Sequence, residues 1–112
     1  MKKGPDFDYT ILFRDLLEGH FQKTKSVSAY AELMAVSEKR LNHATTNVLG
    51  KTPKQMIDDK ILLEAKRLLA HSNQSVKQIA VSLGYDEPTY FIRYFKKHLE
   101  QTPVEFREHY TH

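Results

Sequence analysis

Ser75-Val76-Lys77-Gln78-Ile79-Ala80-Val81-Ser82-Leu83-Gly84-Tyr85 decides the fold, because its key positions are already set out once at Ser26-Val27-Ser28-Ala29-Tyr30-Ala31-Glu32-Leu33-Met34-Ala35-Val36. Ser26-Val27 matches Ser75-Val76, Ala31 matches Ala80 and Met34 matches Leu83, all at an offset of 49. A serine can accept N–H bonds of a first helical turn, and Ser75 with Gln78 makes a full capping box. An alanine in mid-helix lets a second helix approach closely, and Gly84 can take the positive φ of a tight turn. Ala35 stands at the matching place in the first copy and suits that turn less well. Further on, Leu41 matches Phe91, Leu49 matches Leu99, Thr52-Pro53 matches Thr102-Pro103 and Met56 matches Phe106, now at an offset of 50. The added residue falls at the turn or at the start of the second helix. Each copy therefore reads as short helix, tight turn, second helix, then a Thr-Pro helix start, the layout of a helix-turn-helix.

Working outward, the remaining segments also carry a helical period. Phe13, Leu16, Leu17 and Phe21 space a first helix over about Asp8 to Phe21. Ser37 caps a helix with Leu41, Ala44 and Val48 on one side, and Gly50 suits its left-handed end. Thr52-Pro53-Lys54-Gln55 combines a capping box with proline at the first helical position. The stripe Met56, Ile57, Ile61, Leu62, Ala65, Leu68 and Leu69 then predicts the longest helix, 53–71. Asp86-Glu87-Pro88 opens another helix, whose Tyr90, Phe91, Tyr94 and Phe95 predict a buried aromatic stripe. Thr102-Pro103-Val104-Glu105 starts a short terminal helix with Phe106 and Tyr110. No segment alternates with period two. The expected fold is all-α, about seven helices, with two helix-turn-helix units (26–50 and 75–110) joined by the long linker helix. Residues 1–25 form a helical lead-in ahead of this 26–112 tandem.

Composition narrows the function. The 112 residues are 40% hydrophobic and 28% charged, a globular balance, and no apolar run approaches the ~18–20 residues of a bilayer span. Met1-Lys2-Lys3 has no apolar stretch behind it, so no export signal is read, and the absence of cysteine suits a cytoplasmic location. None of the four glycines builds a phosphate-cradling loop. His109 and His112 lack further ligands placed by sequence, and no nucleophile–base arrangement stands out. We expect no metal, no cofactor and no enzyme activity. A net charge of +3 permits nucleic acid as a partner without arguing for it.

Ser75-Val76-Lys77-Gln78-Ile79-Ala80 running into Leu83-Gly84-Tyr85, with Tyr90-Phe91-Ile92-Arg93-Tyr94-Phe95-Lys96-Lys97 and Thr102-Pro103-Val104-Glu105-Phe106-Arg107, resembles the signature region of the AraC/XylS family of bacterial transcription regulators. The resemblance runs from about Val27 to Arg107. It implies a domain that binds double-stranded DNA through two recognition helices in successive major grooves. It also implies a position behind a ligand-sensing or dimerising domain, which residues before Ser26 cannot hold. The chain thus reads as an excised DNA-binding domain or one of the family's short single-domain members, its nearly featureless start favouring excision, with RNA polymerase as the expected partner of the parent regulator. With no heptad seam, the isolated domain is expected to be a monomer. Two positions depart from the family pattern. Glu100 stands where glycine is common, which puts that helix cap in question. Thr45 stands where a core aromatic is common, which implies looser packing of the first unit.

Base reading needs matched donors and acceptors on the groove side of the second helix. By the resemblance Lys39, Asn42 and His43 occupy base-contacting positions in the first unit, and Thr46 shares their face. In the second unit Thr89, Ile92 and Arg93 correspond, with Arg93 suited to guanine or phosphate. Lys54, Lys96 and Lys97 are phosphate candidates, as are the helix starts at Thr52 and Thr102 through their N–H groups. A helical protein-interaction module and an RNA binder without base-specific DNA readout remain the competing readings.

Overall fold

The structure is a computed structural model describing residues 4–110. Met1-Lys2-Lys3 and His112, used above in reading export and metal binding, lie outside the described residues. Within them the chain is all-α, with seven helices: α1 (Pro5–His20), α2 (Val27–Leu33), α3 (Glu38–Leu49), α4 (Pro53–His71), α5 (Val76–Ser82), α6 (Pro88–Leu99) and α7 (Pro103–Tyr110). Local chemistry sets most of the boundaries. Ser26, Ser37 and Ser75 each accept an N–H bond from the third residue beyond them, at 3.2, 3.0 and 3.0 Å. The Ser75 N–H in turn donates to Gln78 Oε1 at 2.8 Å, closing the box read from sequence. Helix α1 starts earlier than its apolar spacing suggests, because Pro5 occupies the first helical position and needs no N–H partner there.

The two tight turns are superposable in their hydrogen bonding. Val36 N–H donates to Ala31 C=O at 3.0 Å, and Tyr85 N–H donates to Ala80 C=O at 2.9 Å. Gly84 takes φ +90° in the second turn, and Ala35 takes φ +56° in the first. The first unit therefore adopts the glycine turn with a Cβ present, a conformation worth roughly 1–2 kcal/mol of strain. The ends of α3 and α6 repeat the lesson. Gly50 closes α3 at φ +68° and Glu100 closes α6 at φ +58°. Glu100 thus keeps the left-handed cap, with its N–H donating to Lys96 C=O at 2.8 Å.

The chain divides into two compact units, Met1–Lys60 and Ile61–His112, with the division inside α4. In the first, α1 packs most extensively on α3. Phe13, Tyr30, Leu41 and Ala44 have no exposed surface, and Phe13 meets Tyr30 edge-on at 5.3 Å. The Tyr30 hydroxyl donates to Thr24 C=O at 2.7 Å, and burial pushes its phenol up to about 12. Ala44 and Thr45 are both sealed at 0% exposure. Thr45 is thus closed off from solvent, in a unit whose core also takes Phe13 and Leu17 of α1.

In the second unit Ile61, Ala65 and Leu69 of α4 share the core with Ile79, Ala80, Leu83, Phe91 and Phe95. An aromatic run links the helices, with Phe91–Phe95 at 5.9 Å and Phe95–Phe106 at 5.8 Å. Arg107 closes the open end of α4, its Nε donating to Leu69 C=O at 2.9 Å and its Nη2 to Leu68 and Ser72 C=O at 3.4 Å. One expectation fails here. Tyr90 does not join the buried stripe; it is 61% exposed, while Phe91 and Phe95 are sealed and Tyr94 is half-buried. Four aromatics at i, i+1, i+4 and i+5 span a wider arc than α5 and α7 cover.

Candidate nucleic-acid interface

Helix α3 carries two polar rows on its outer side, and the structure gives them different work. Lys39, Asn42 and Thr46 are exposed on one row. Lys39 and Asn42 line a shallow concavity of about 370 Å³ together with Val27, Glu38, Thr52, Pro53 and Lys54. Two expected base-reading residues are thus brought beside two expected phosphate contacts. Lys54 is engaged by Asp58, with Nζ–O distances of 2.7 and 3.0 Å. That pair is one helical turn long and exposed at the lysine, so little binds it there.

The second row, Arg40, His43 and Asn47, turns toward Asp6 at the start of α1. Arg40 Nη1 lies 2.6 Å from Asp6 Oδ1, Asn47 Nδ2 donates to Oδ2 at 2.9 Å, and His43 Nε2 sits 3.4 Å from the same oxygen. The Arg40 guanidinium also lies 4.9 Å from the centre of the Tyr9 ring. Hydrogen bonding by Arg40, with help from Asn47 and the charges of Arg40 and His43, holds the Asp6 carboxyl below the usual carboxylate range against the opposing effect of burial. His43 therefore sits at the border of both rows, beside Asp6 and with 70% of its side chain exposed. Asp6, Tyr9, Arg40 and Asn47 were not singled out by the sequence pattern. The spacing of Arg40, His43 and Asn47 at i, i+3 and i+7 marks a common row, but nothing local names its partner.

In the second unit Thr89, Arg93, Lys96 and Lys97 are exposed along α6, and Ile92 is half-buried. Among the described residues Arg93 and Lys97 have no side-chain partner. Lys96 feels the Glu105 carboxylate, which lies below its ordinary pKa chiefly through the Thr102 backbone N–H and hydroxyl, with Lys96 and His109 adding. Glu87 precedes α6 without capping it.

The helix starts at Thr52 and Thr102 differ from expectation in detail. Thr52 N–H donates to Gln55 Oε1 at 2.9 Å and Gln55 N–H returns to Thr52 Oγ1 at 3.1 Å. Thr102 and Glu105 do the same at 2.7 and 3.1 Å. Proline fills the first helical position in both, so each box leaves the second helical N–H, that of Lys54 or Val104, to meet an anion. Among the described residues no group of three metal-ligating side chains occurs, and no helix is long and apolar enough to cross a membrane.

Two repeated helix–turn–helix units with outward-facing polar second helices define a tandem helix-turn-helix protein. The sequence matches the helix-turn-helix domain family over residues 30–109. It is 33% identical to the HTH-type transcriptional activator RhaS of Escherichia fergusonii across 92 residues, which cover 82% of this chain and 33% of that activator. The fold is similar to the C-terminal domain of AraT, a response regulator from Geobacillus stearothermophilus (TM-score 0.81, 24% identity, 96% of this chain and 88% of that one). It is also similar to the DNA-binding domain of AdpA, a global transcriptional factor solved with a target DNA (TM-score 0.74, 24% identity, 96% and 94% covered). The chain belongs to the AraC-type helix-turn-helix family. It spans a third to a half of the length of the curated relatives it matches.

Proposed function

We propose that this chain is a sequence-specific double-stranded DNA-binding domain of a bacterial transcription regulator, a binder and not an enzyme. The observation that carries the reading is the exposed row Lys39, Asn42 and Thr46 on the second helix of a helix-turn-helix, repeated in kind by Thr89 and Arg93 on α6. Asn42 pairs with adenine, Lys39 and Arg93 reach guanine, and Thr46, Thr89 and half-buried Ile92 touch thymine methyls. His43 reads from the edge of the row. Lys54, Lys96 and Lys97 take backbone phosphates, with Lys54 exchanging Asp58 for the stronger charge. The starts of α4 and α7 at Thr52 and Thr102 add helix-dipole attraction.

In this reading residues 26–112 carry the DNA contacts and residues 1–25 are a lead-in. The isolated domain works as a monomer in the cytoplasm, and the parent regulator engages RNA polymerase. The two recognition helices take half-sites one helical turn apart on the duplex, about 34 Å.

Selection of preferred sites from a random duplex pool tests this. The expected result is a bipartite site bound more than about 10³-fold over scrambled duplex, with affinity falling steeply as salt rises. Salt-dependent binding without sequence preference would overturn it.

A further inference from the structure

The two units share one plan, yet the flanks of their second helices are treated differently. In α3 the row Arg40, His43 and Asn47 lies against α1, tied to Asp6 and covered at Arg40 by Tyr9. At the repeat offset of 50, the same row of α6 is Tyr90, Arg93 and Lys97. Helix α6 packs with α5 and α7, and none of the three side chains has a hydrogen-bond, ion-pair or ring partner among the described residues. The row carries two cations and no acid. Tyr90, 61% exposed, stands at its start.

A tyrosine held in water beside two unpaired cations suits one kind of occupant. Its ring is a rigid apolar plate with only two χ angles to order, and its hydroxyl is an uncharged donor. Deoxyribose offers the apolar surface for such a plate, and the neighbouring phosphate offers the acceptor. The two cations further along the row supply the charge complementarity that a polyanion needs.

We propose that Tyr90 is a DNA-contacting residue, its hydroxyl donating to a phosphate oxygen and its ring lying on the adjoining sugar, with Lys97 extending the same row along the backbone and Arg93 between them turned to the base edges. The inference rests on the DNA-binding function above and adds a residue whose sequence pattern points to the core. It gives the units unequal tasks. Covered by α1, α3 presents a narrow, base-directed row, whereas α6 presents a broad face rich in backbone contacts.

The test uses the whole chain on its selected duplex, with Tyr90→Phe, Tyr90→Ala, Lys97→Ala and Asn42→Ala compared by fluorescence anisotropy at several salt concentrations. Circular dichroism melts confirm the fold of each. Tyr90→Phe is expected to weaken binding about tenfold or more, the loss of one hydrogen bond to a charged acceptor. The salt slope should stay unchanged, because no cation is lost. Tyr90→Ala is expected to weaken binding further, equally on selected and scrambled duplexes, as a contact without sequence information must. Lys97→Ala should lower the salt slope by about one. Tyr90→Phe keeps the ring and so remains informative even where the alanine variant melts early. Binding by Tyr90→Phe and Tyr90→Ala within twofold of the parent, while Asn42→Ala is impaired, would overturn the proposal and leave the DNA-binding function standing. A parent chain that does not bind duplex at all overturns both.

Discussion

Ala35 and Glu100 are the residues at which the chain holds a glycine conformation without glycine. Ala35 lies at φ +56° and Glu100 at φ +58°, where their counterparts in the other unit are Gly84 and Gly50. The left-handed region brings Cβ against the following carbonyl, and glycine alone escapes that contact. Ala35→Gly and Glu100→Gly should each stabilise the protein by about 1 kcal/mol, read as a rise in denaturant midpoint without change in slope. An unchanged or lowered midpoint would show that the turns relax around their side chains. Asp6 acts at the same scale through charge. Its folded carboxyl titrates below the ordinary carboxylate value, so the stability it adds is present above the unfolded pKa of about 3.9 and is lost as pH falls through the lower folded value. Asp6→Asn should therefore melt below the parent at neutral pH, and the gap should close below about pH 4. A gap that does not vary with pH would place the effect in packing instead.

Elements show where sequence reading succeeds and where it stops. The three serine caps, both Thr-Pro helix starts and the extent of α4 follow from contacts among residues at most four apart, and those distances are what local patterns encode. The bond from Asn47 to Asp6 spans 41 positions, and no periodicity in either helix announces it. Tyr90 departs from its apolar spacing for a related reason. Apolar spacing identifies a stripe, but its width depends on how many neighbours cover it, which is a tertiary fact. Arg107 belongs to this scale too, since it serves a helix other than its own. Its guanidinium takes carbonyls at the end of α4, where the helix dipole also favours a cation. Arg107→Ala should destabilise the second unit by about 1.5–3 kcal/mol, with Arg107→Lys recovering only part, because a point charge cannot fork across several carbonyls. Loss of amide-exchange protection in the last turn of α4 is the sign to measure.

At the scale of the molecule, the two repeated units differ in what covers the flank of the second helix. The first unit has a shielded flank and a compact polar row; the second has an open flank with Tyr90, Arg93 and Lys97. Asn42→Ala should erase preference at one or two adjacent base pairs, at about 1–3 kcal/mol for the mismatched base. Lys97→Ala should instead weaken all duplexes alike. Quantitative site selection with each variant separates the two behaviours, and equal loss of base preference in both would refute the division.

The helix laid across α3 also shapes how such a protein can change. Arg40 and Asn47 are fastened to Asp6, so drift at those two places disturbs folding before anything else. The corresponding row on α6 answers to no other part of its unit. Single substitutions there can therefore change the strength of backbone contact with the scaffold left intact.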